Sequence, residues 1–234
     1  MGDVSTVVDL LSRPVYAVGQ VDRILSLPAG TARRWIDGYR RGDRPYPPVV
    51  RLETTGDEIV TWGEFVETRL LAEFRNAGVP MVHLRPTVEQ LRKVFTARYP
   101  LAHAAPLLEQ EGRELVWQVQ EKVGLERQLR LVVRTDQLTL SQPADNFVNA
   151  ADFSGLDGST VRVRPIGTFR SVWVDPLRQF GEPAVRSVPT AVIAEQYRAG
   201  DGARYIANAY DLSEDEVNDA LRYELSRIAI TDAA

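Results

Sequence analysis

Between Thr31 and Arg51 six arginines, Arg33, Arg34, Arg40, Arg41, Arg44 and Arg51, stand against two acids, Asp37 and Asp43. A guanidinium keeps its charge at every physiological pH and presents donors in a fork that matches phosphate oxygens or the edge of a guanine. Over the whole chain 28 Lys and Arg are outweighed by 32 Asp and Glu, for a formal net charge of -4. The basic patch is therefore local, and indiscriminate coating of nucleic acid is excluded. Ala32, Trp35 and Ile36 form the apolar stripe of one short helix, so Thr31, Arg33 and Arg34 are expected to face outward near its start. That is the end which helix-turn-helix proteins place in the major groove. Arg40, Arg41 and Arg44 follow in a basic loop, and Arg44 and Arg51, the latter in the expected wing, are expected to meet backbone phosphate.

Other chemistries find little support. Zero cysteines removes disulfides, thiol nucleophiles, iron-sulfur clusters and Cys-ligated zinc. His83 and His103 are far apart, without a partner at the spacing of a helical metal site. Gly-x-Ser-x-Gly, Gly-x-x-x-x-Gly-Lys and Gly-x-Gly-x-x-Gly are all missing, and most carboxylates fall in helix caps or on solvent faces. No catalytic residue, metal or cofactor is expected, and a metal-dependent hydrolase ranks last among the readings. Apolar residues make up 44% and charged ones 26%, as in ordinary globular chains. No apolar run approaches the roughly 18 to 20 residues of a membrane span, and Asp3 and Asp9 stand where a signal peptide would be basic. A cytoplasmic protein without membrane contact is expected.

The elements that must position the arginines can be read from periodicity. Val21, Ile24 and Leu25 mark one helix and Ala32, Trp35 and Ile36 a second, joined by Ser26-Leu27-Pro28-Ala29-Gly30. Leu27 before Pro28 offers no side-chain cap, so the second helix should start loosely. The segment from Tyr39 to Pro48 reads as a loop, and Val49–Leu52 and Glu58–Val60 as a hairpin, a wing, around Thr54-Thr55-Gly56-Asp57. Thr61-Trp62-Gly63-Glu64 is a capping box for a helix bearing Phe65, Val66, Leu70 and Phe74, ending near Gly78 and Pro80. Another helix runs from Pro86 to about Arg98, and these two are the candidate dimerisation helices.

Beyond residue 106 alternation predicts strands at Leu115–Val119, Leu129–Val133, Asn146–Phe153, Val161–Arg164 and Ser171–Val174. Three helices close the chain, from Thr190 to Gly200, from Gly202 to Tyr210, and from the capping box Ser213-Glu214-Asp215-Glu216 onward, the last with Val217, Ala220, Leu221, Leu225 and Ile228 on one face. The expected class is α+β: a winged helix-turn-helix with dimerisation helices at 1–105, a β-rich middle at 106–176 and a C-terminal three-helix domain at 177–234.

Tyr16 to Ile36 resembles the winged helix-turn-helix of MerR-type regulators. Val174-Asp175-Pro176, Phe180-Gly181-Glu182-Pro183 and Ala191 to Tyr223 resemble a domain of unknown function that accompanies certain VapB-type antitoxins. Together with Arg34-Trp35-Ile36-Asp37-Gly38-Tyr39-Arg40 and Thr61 to Glu67, most of the chain is similar to a mycobacterial VapB antitoxin of this two-part kind. In the second family Arg-Gly-Thr-Arg is usual where Arg186-Ser187-Val188-Pro189 stands here. The resemblance implies an antitoxin of a type II toxin-antitoxin pair that represses its own operon and binds a PIN-domain ribonuclease toxin, and a homodimer is expected because one wing domain buries too little to be selective alone. The last helix starts with three acids, which repel phosphate, so the C-terminal helices are expected to bind protein instead. Tyr197, Arg198, Arg204 and Tyr205 are of the types that anchor interfaces. The alternative is a MerR-type transcription regulator responding to a small molecule held in the middle sheet.

Overall fold

The computed structural model describes residues 9–78, 84–127, 130–134 and 136–231, with side chains to Arg227. Asp3, Pro80, His83, Leu129 and the side chain of Ile228 lie outside the described residues. The architecture is α+β, with helices carrying most of the mass and strands gathered in small antiparallel sheets.

At the N-terminal end β1 (Pro14–Ala17) leads into α1 (Val18–Ile24) and α2 (Thr31–Ile36), followed by the hairpin β2 (Tyr39–Arg41) and β3 (Arg44–Tyr46). β4 (Ile59–Thr61) returns to pair with β1, placing Tyr16 opposite Val60. α3 (Trp62–Asn76) is the spine of the molecule. Thr61 and Glu64 close the expected capping box at its start. Trp62 Nε1 donates to the Thr160 carbonyl at 2.7 Å, and the Tyr16 and Phe65 rings meet at 4.8 Å. Twelve of the 15 residues of α3, one of the two helices expected as dimer elements, are buried inside its own chain. α4 (Arg85–Phe95) ends at Thr96, whose φ of 49° breaks the helix.

The middle of the chain departs from expectation. Leu115–Val119 lies within a helix, because the buried set is Gly112, Val116, Val119 and Gln120, a helical spacing, while Leu115 is exposed. This α6 (Gln110–Lys122) packs so tightly on α5 (Ala105–Leu108) that a Cβ at Gly112 would stand 1.8 Å from the Ala105 carbonyl oxygen. Asn146–Val148 likewise ends α7 (Gln142–Val148), which buries Ala144 and Phe147, and only Ala151–Phe153 (β7) is extended. Strands do appear at β5 (Val132–Arg134), β6 (Leu138–Leu140), β8 (Thr160–Val163) and β9 (Val172–Trp173), each paired locally.

The C-terminal helices fall where expected: α8 (Thr190–Arg198), α9 (Ala203–Tyr210) and α10 (Glu214–Thr231). They share a second core with Val172, Val185 and Val188 from the sheet formed by β9, β10 (Ala184–Val185) and β11 (Val188–Pro189). On α10 the inner face is Val217, Ala220 and Tyr223, whereas Leu225 is turned to solvent. Two buried phenols clasp this region to the N-terminal one. Tyr16 Oη donates to the Gly181 carbonyl, and Tyr223 Oη donates to the Ile24 carbonyl at 3.0 Å.

Candidate nucleic-acid interface

α1 and α2 pack through Val21, Ile24, Ala32 and Ile36, all at or near zero exposure. The start of α2 is tight, contrary to expectation. Its N-cap, Gly30, has a φ of 73°, and the missing local cap is replaced by the carboxylate of Asp22 on α1. That carboxylate accepts from the amides of Gly30 at 2.8 Å and Ala32 at 2.7 Å. Burial pushes the Asp22 carboxyl above its ordinary value, and these two amide bonds hold it part of the way back. The other end of α2 is closed by the amides of Val49, Val50 and Arg51, which donate to the Trp35 and Ile36 carbonyls. A six-residue helix is thus fixed at both ends by groups far away in sequence.

The basic stretch expected as a loop is the hairpin, and the expected wing around Thr54–Asp57 is a loop. Gly38 (φ 77°) lets the chain leave α2, and a Cβ there would meet the Tyr46 carbonyl oxygen at 2.7 Å. Gly42 (φ 59°) makes the turn. Tyr39 and Tyr46 stack across the strands at 4.6 Å, and the Arg44 guanidinium lies over the Tyr46 ring. Arg40, Arg41 and Arg44 are consequently exposed on a short rigid ribbon directly after α2, on which Arg34 is exposed as well. Arg33 is half-buried, with its guanidinium paired to Glu58.

Two of the expected contact residues do not reach the surface. Thr31 is fully buried, and its hydroxyl accepts from Arg34 Nη2 at 3.0 Å. Arg51 is also buried and its guanidinium is fully engaged: Nε donates to Glu64 Oε1 at 2.9 Å, Nη1 to Asp37 Oδ1 at 3.0 Å and Nη2 to the Ile59 carbonyl at 2.7 Å. It therefore ties α2, the loop and the cap of α3 together, and a DNA phosphate cannot compete for it. Asp37 also accepts from the amides of Thr55 and Gly56, shaping that loop around its carboxylate. Burial alone would raise the Asp37 carboxyl, but these amides and Arg51 outweigh it and hold it below its usual value.

At the far end of the chain Tyr197, Arg198, Arg204 and Tyr205 are all exposed, on the end of α8 and the start of α9. A hydrogen bond from Gln196 Nε2 to Tyr210 Oη at 2.7 Å fixes these two helices to each other. Of the three acids opening α10, Glu216 is occupied locally, since it caps Ser213 and pairs with Arg186. Arg186 takes a φ of 53°, the conformation that glycine would hold most easily in this turn. Among the described residues no group of three His, Asp or Glu could hold a metal ion, and no helix is long and apolar enough to cross a membrane.

Comparison with known proteins places these features. Residues 14–88 match the family model described as "Putative DNA-binding HTH domain". Over 95% of its length the chain is 37% identical to the "Uncharacterized protein Rv2308" of Mycobacterium tuberculosis, covering 97% of that protein. The chain belongs to the Rv2308 family. This Rv2308-family chain is also 28% identical to the "Putative antitoxin VapB45" of the same organism, over 89% of its own length and 92% of the relative's. Its fold is that of the crystal structure of Rv2018 from Mycobacterium tuberculosis, with a TM-score of 0.71, 25% identity and coverage of 89% of this chain and 97% of that one.

Some of the site was missed in the sequence. The hairpin had a signal: Gly42-Asp43 is a two-residue turn flanked by Tyr-Arg-Arg and Arg-Pro-Tyr, and the neighbouring prolines masked it. Asp22 as a remote cap had none, because only the tertiary approach of α1 to α2 brings it there.

Proposed function

We propose that this chain is the antitoxin of a type II toxin-antitoxin pair, a cytoplasmic homodimer that binds its own operator and neutralises a PIN-domain ribonuclease. The observation that carries the DNA half is the unit formed by α2 and the β2–β3 hairpin, with Arg34, Arg40, Arg41 and Arg44 all turned to solvent. On this reading α2 enters the major groove and the hairpin is the wing of a MerR-type winged helix-turn-helix, straddling phosphates. Arg33 joins them when Glu58 releases it. Residues 1–105 bind DNA, residues 106–176 join the two ends, and residues 177–234 bind the toxin. The toxin surface is Tyr197, Arg198, Arg204 and Tyr205, and the likeness to VapB45 along most of the chain supports that assignment. The protein acts by binding, with no catalytic residue of its own.

The test is co-expression with the neighbouring reading frame, pull-down, and gel shift on the DNA upstream of the pair. Arg40→Ala and Arg44→Ala should each weaken DNA binding for all sequences and lower the salt slope by roughly 0.9, with toxin capture intact. Tyr205→Ala with Arg204→Ala should do the reverse. Operator binding unchanged in the hairpin variants would overturn the DNA interface, and unchanged capture in the second pair would overturn the toxin surface.

A further inference from the structure

The segment from Leu177 to Gly181 is built unlike any other exposed loop among the described residues. Gln179 and Phe180 are consecutive non-glycine residues with φ of 49° and 53°, followed by Gly181 at 79°. The left-handed region costs such residues energy, and it persists only where surrounding structure imposes it. Here the imposition is explicit. The Gly181 carbonyl is held by the buried Tyr16 hydroxyl, and Gln179 Nε2 donates to the Ser187 carbonyl at 2.9 Å. The Leu177 amide is held by Asp175 at 2.8 Å, and a Cβ at Gly181 would meet Val15 at 2.8 Å. All this rigidity presents a phenyl ring that is 98% exposed, beside Leu177 at 64%. A hydrophobic ring held out in water by strained backbone gains nothing within its own chain.

The same chain carries a receptor of matching chemistry. A cleft of about 750 Å³ is lined by the half-buried Phe95 and the fully exposed Leu156, while Leu11 and Pro106, which also border it, are buried. Asp9, Glu109 and Asp157 also line it, together with Arg98 and His103, so its acids outnumber its one arginine and are opposite in charge to Arg178, which lies between Leu177 and Phe180 with its side chain 78% exposed. Knob and cleft are close together: Leu11 lines the cleft, the knob rests on Val15, and four residues of chain span at most about 14 Å. A two-fold axis would let each copy give its knob and receive its partner's.

We propose that the Leu177–Phe180 knob seats in the cleft lined by Phe95 and Leu156 of a second copy of this chain, forming the homodimer. The proposal rests on the homodimer of the reading above and moves its interface from α3 and α4 to this knob and cleft. Phe180 and Leu156 are exposed, so substitutions at these two positions leave the fold alone.

The experiment is sedimentation equilibrium of the full chain without DNA. Wild type and Leu225→Asp, an exposed change on α10, should both be dimers. Phe180→Asp and Leu156→Asp should dissociate at least about a hundredfold more readily. A monomeric wild type, a Phe180→Asp variant as dimeric as wild type, or dissociation of Leu225→Asp as well would overturn the interface. Dissociation by Phe180→Asp with Leu156→Asp unaffected would overturn the cleft as the seat. On DNA, Phe180→Asp should keep affinity for a half-site and lose the gain from a paired site. A protein that dimerises through the knob yet binds no DNA would leave this interface standing and remove the operator reading alone.

Discussion

Arginine serves two opposed purposes in the first hundred residues, and burial separates them. Arg51 is held by Asp37 and Glu64 in a closed ionic cluster, and Arg92 reaches Glu67 and the Arg98 carbonyl behind it. Removing one member leaves charges buried without a partner, so Arg51→Ala should cost about 3 to 5 kcal/mol in denaturant unfolding. Arg40→Ala and Arg44→Ala, on the exposed hairpin, should leave the unfolding midpoint where it is. Glu67 gives a pH signature. Burial raises its carboxyl to about 7, against the opposing pull of Arg92 and the Leu101 amide. Because the folded value lies above the unfolded one, the stability concerned is complete below about 4.5 and is lost as pH rises through about 7. The stability difference between wild type and Glu67→Gln should therefore change by up to about 3 kcal/mol across that window, and a flat difference would show that Glu67 titrates normally. These roles were only half legible in the sequence. Six arginines in a short stretch announce an anion-binding region, but nothing in their spacing says that Arg51 turns inward, since its partner Glu64 looks like an ordinary capping-box residue.

Among the elements, those with strong local signals appeared where the sequence put them. Both capping boxes and the three C-terminal helices needed only propensity and period, and so did the two helices around Pro28. The miss at α6 has a physical cause of its own. In α6 the alternation of Leu115, Trp117 and Val119 imitates a strand, while the true buried stripe includes Gly112 and Gln120, residue types that a hydrophobic count ignores. Gln120 is buried because its side chain bonds the Leu131 amide and the Val132 carbonyl, substituting for a strand neighbour. Gly112 is buried because α5 lies directly against it. Gly112→Ala should thus force α5 and α6 apart and destabilise by about 1 to 3 kcal/mol or more, readable as a lowered melting temperature. Gly19→Ala, with open space around the added methyl, serves as the neutral comparison.

In the whole molecule the two ends are separate in their cores but not in their support. The roof over the α1–α2 turn is α10, through Tyr223 and a contact between the hydroxyls of Ser26 and Ser226 at 3.3 Å. Tyr223→Phe should leave the Ile24 carbonyl unanswered and cost about 1 to 2 kcal/mol, detectable by faster amide exchange at the end of α1. A fragment ending at residue 176 loses Gly181 and Tyr223 together, so it should bind operator more weakly than the full chain at the same temperature. The clasp also has a meaning in time. Ile24 and Tyr223 are 199 residues apart. At about 5 to 20 residues per second, a ribosome takes roughly 10 to 40 seconds to supply the second after the first. Until then the helix-turn-helix has no roof, so on the proposed function a nascent chain should bind DNA more weakly than the finished protein, which ribosome-stalled chains compared with full-length protein would test.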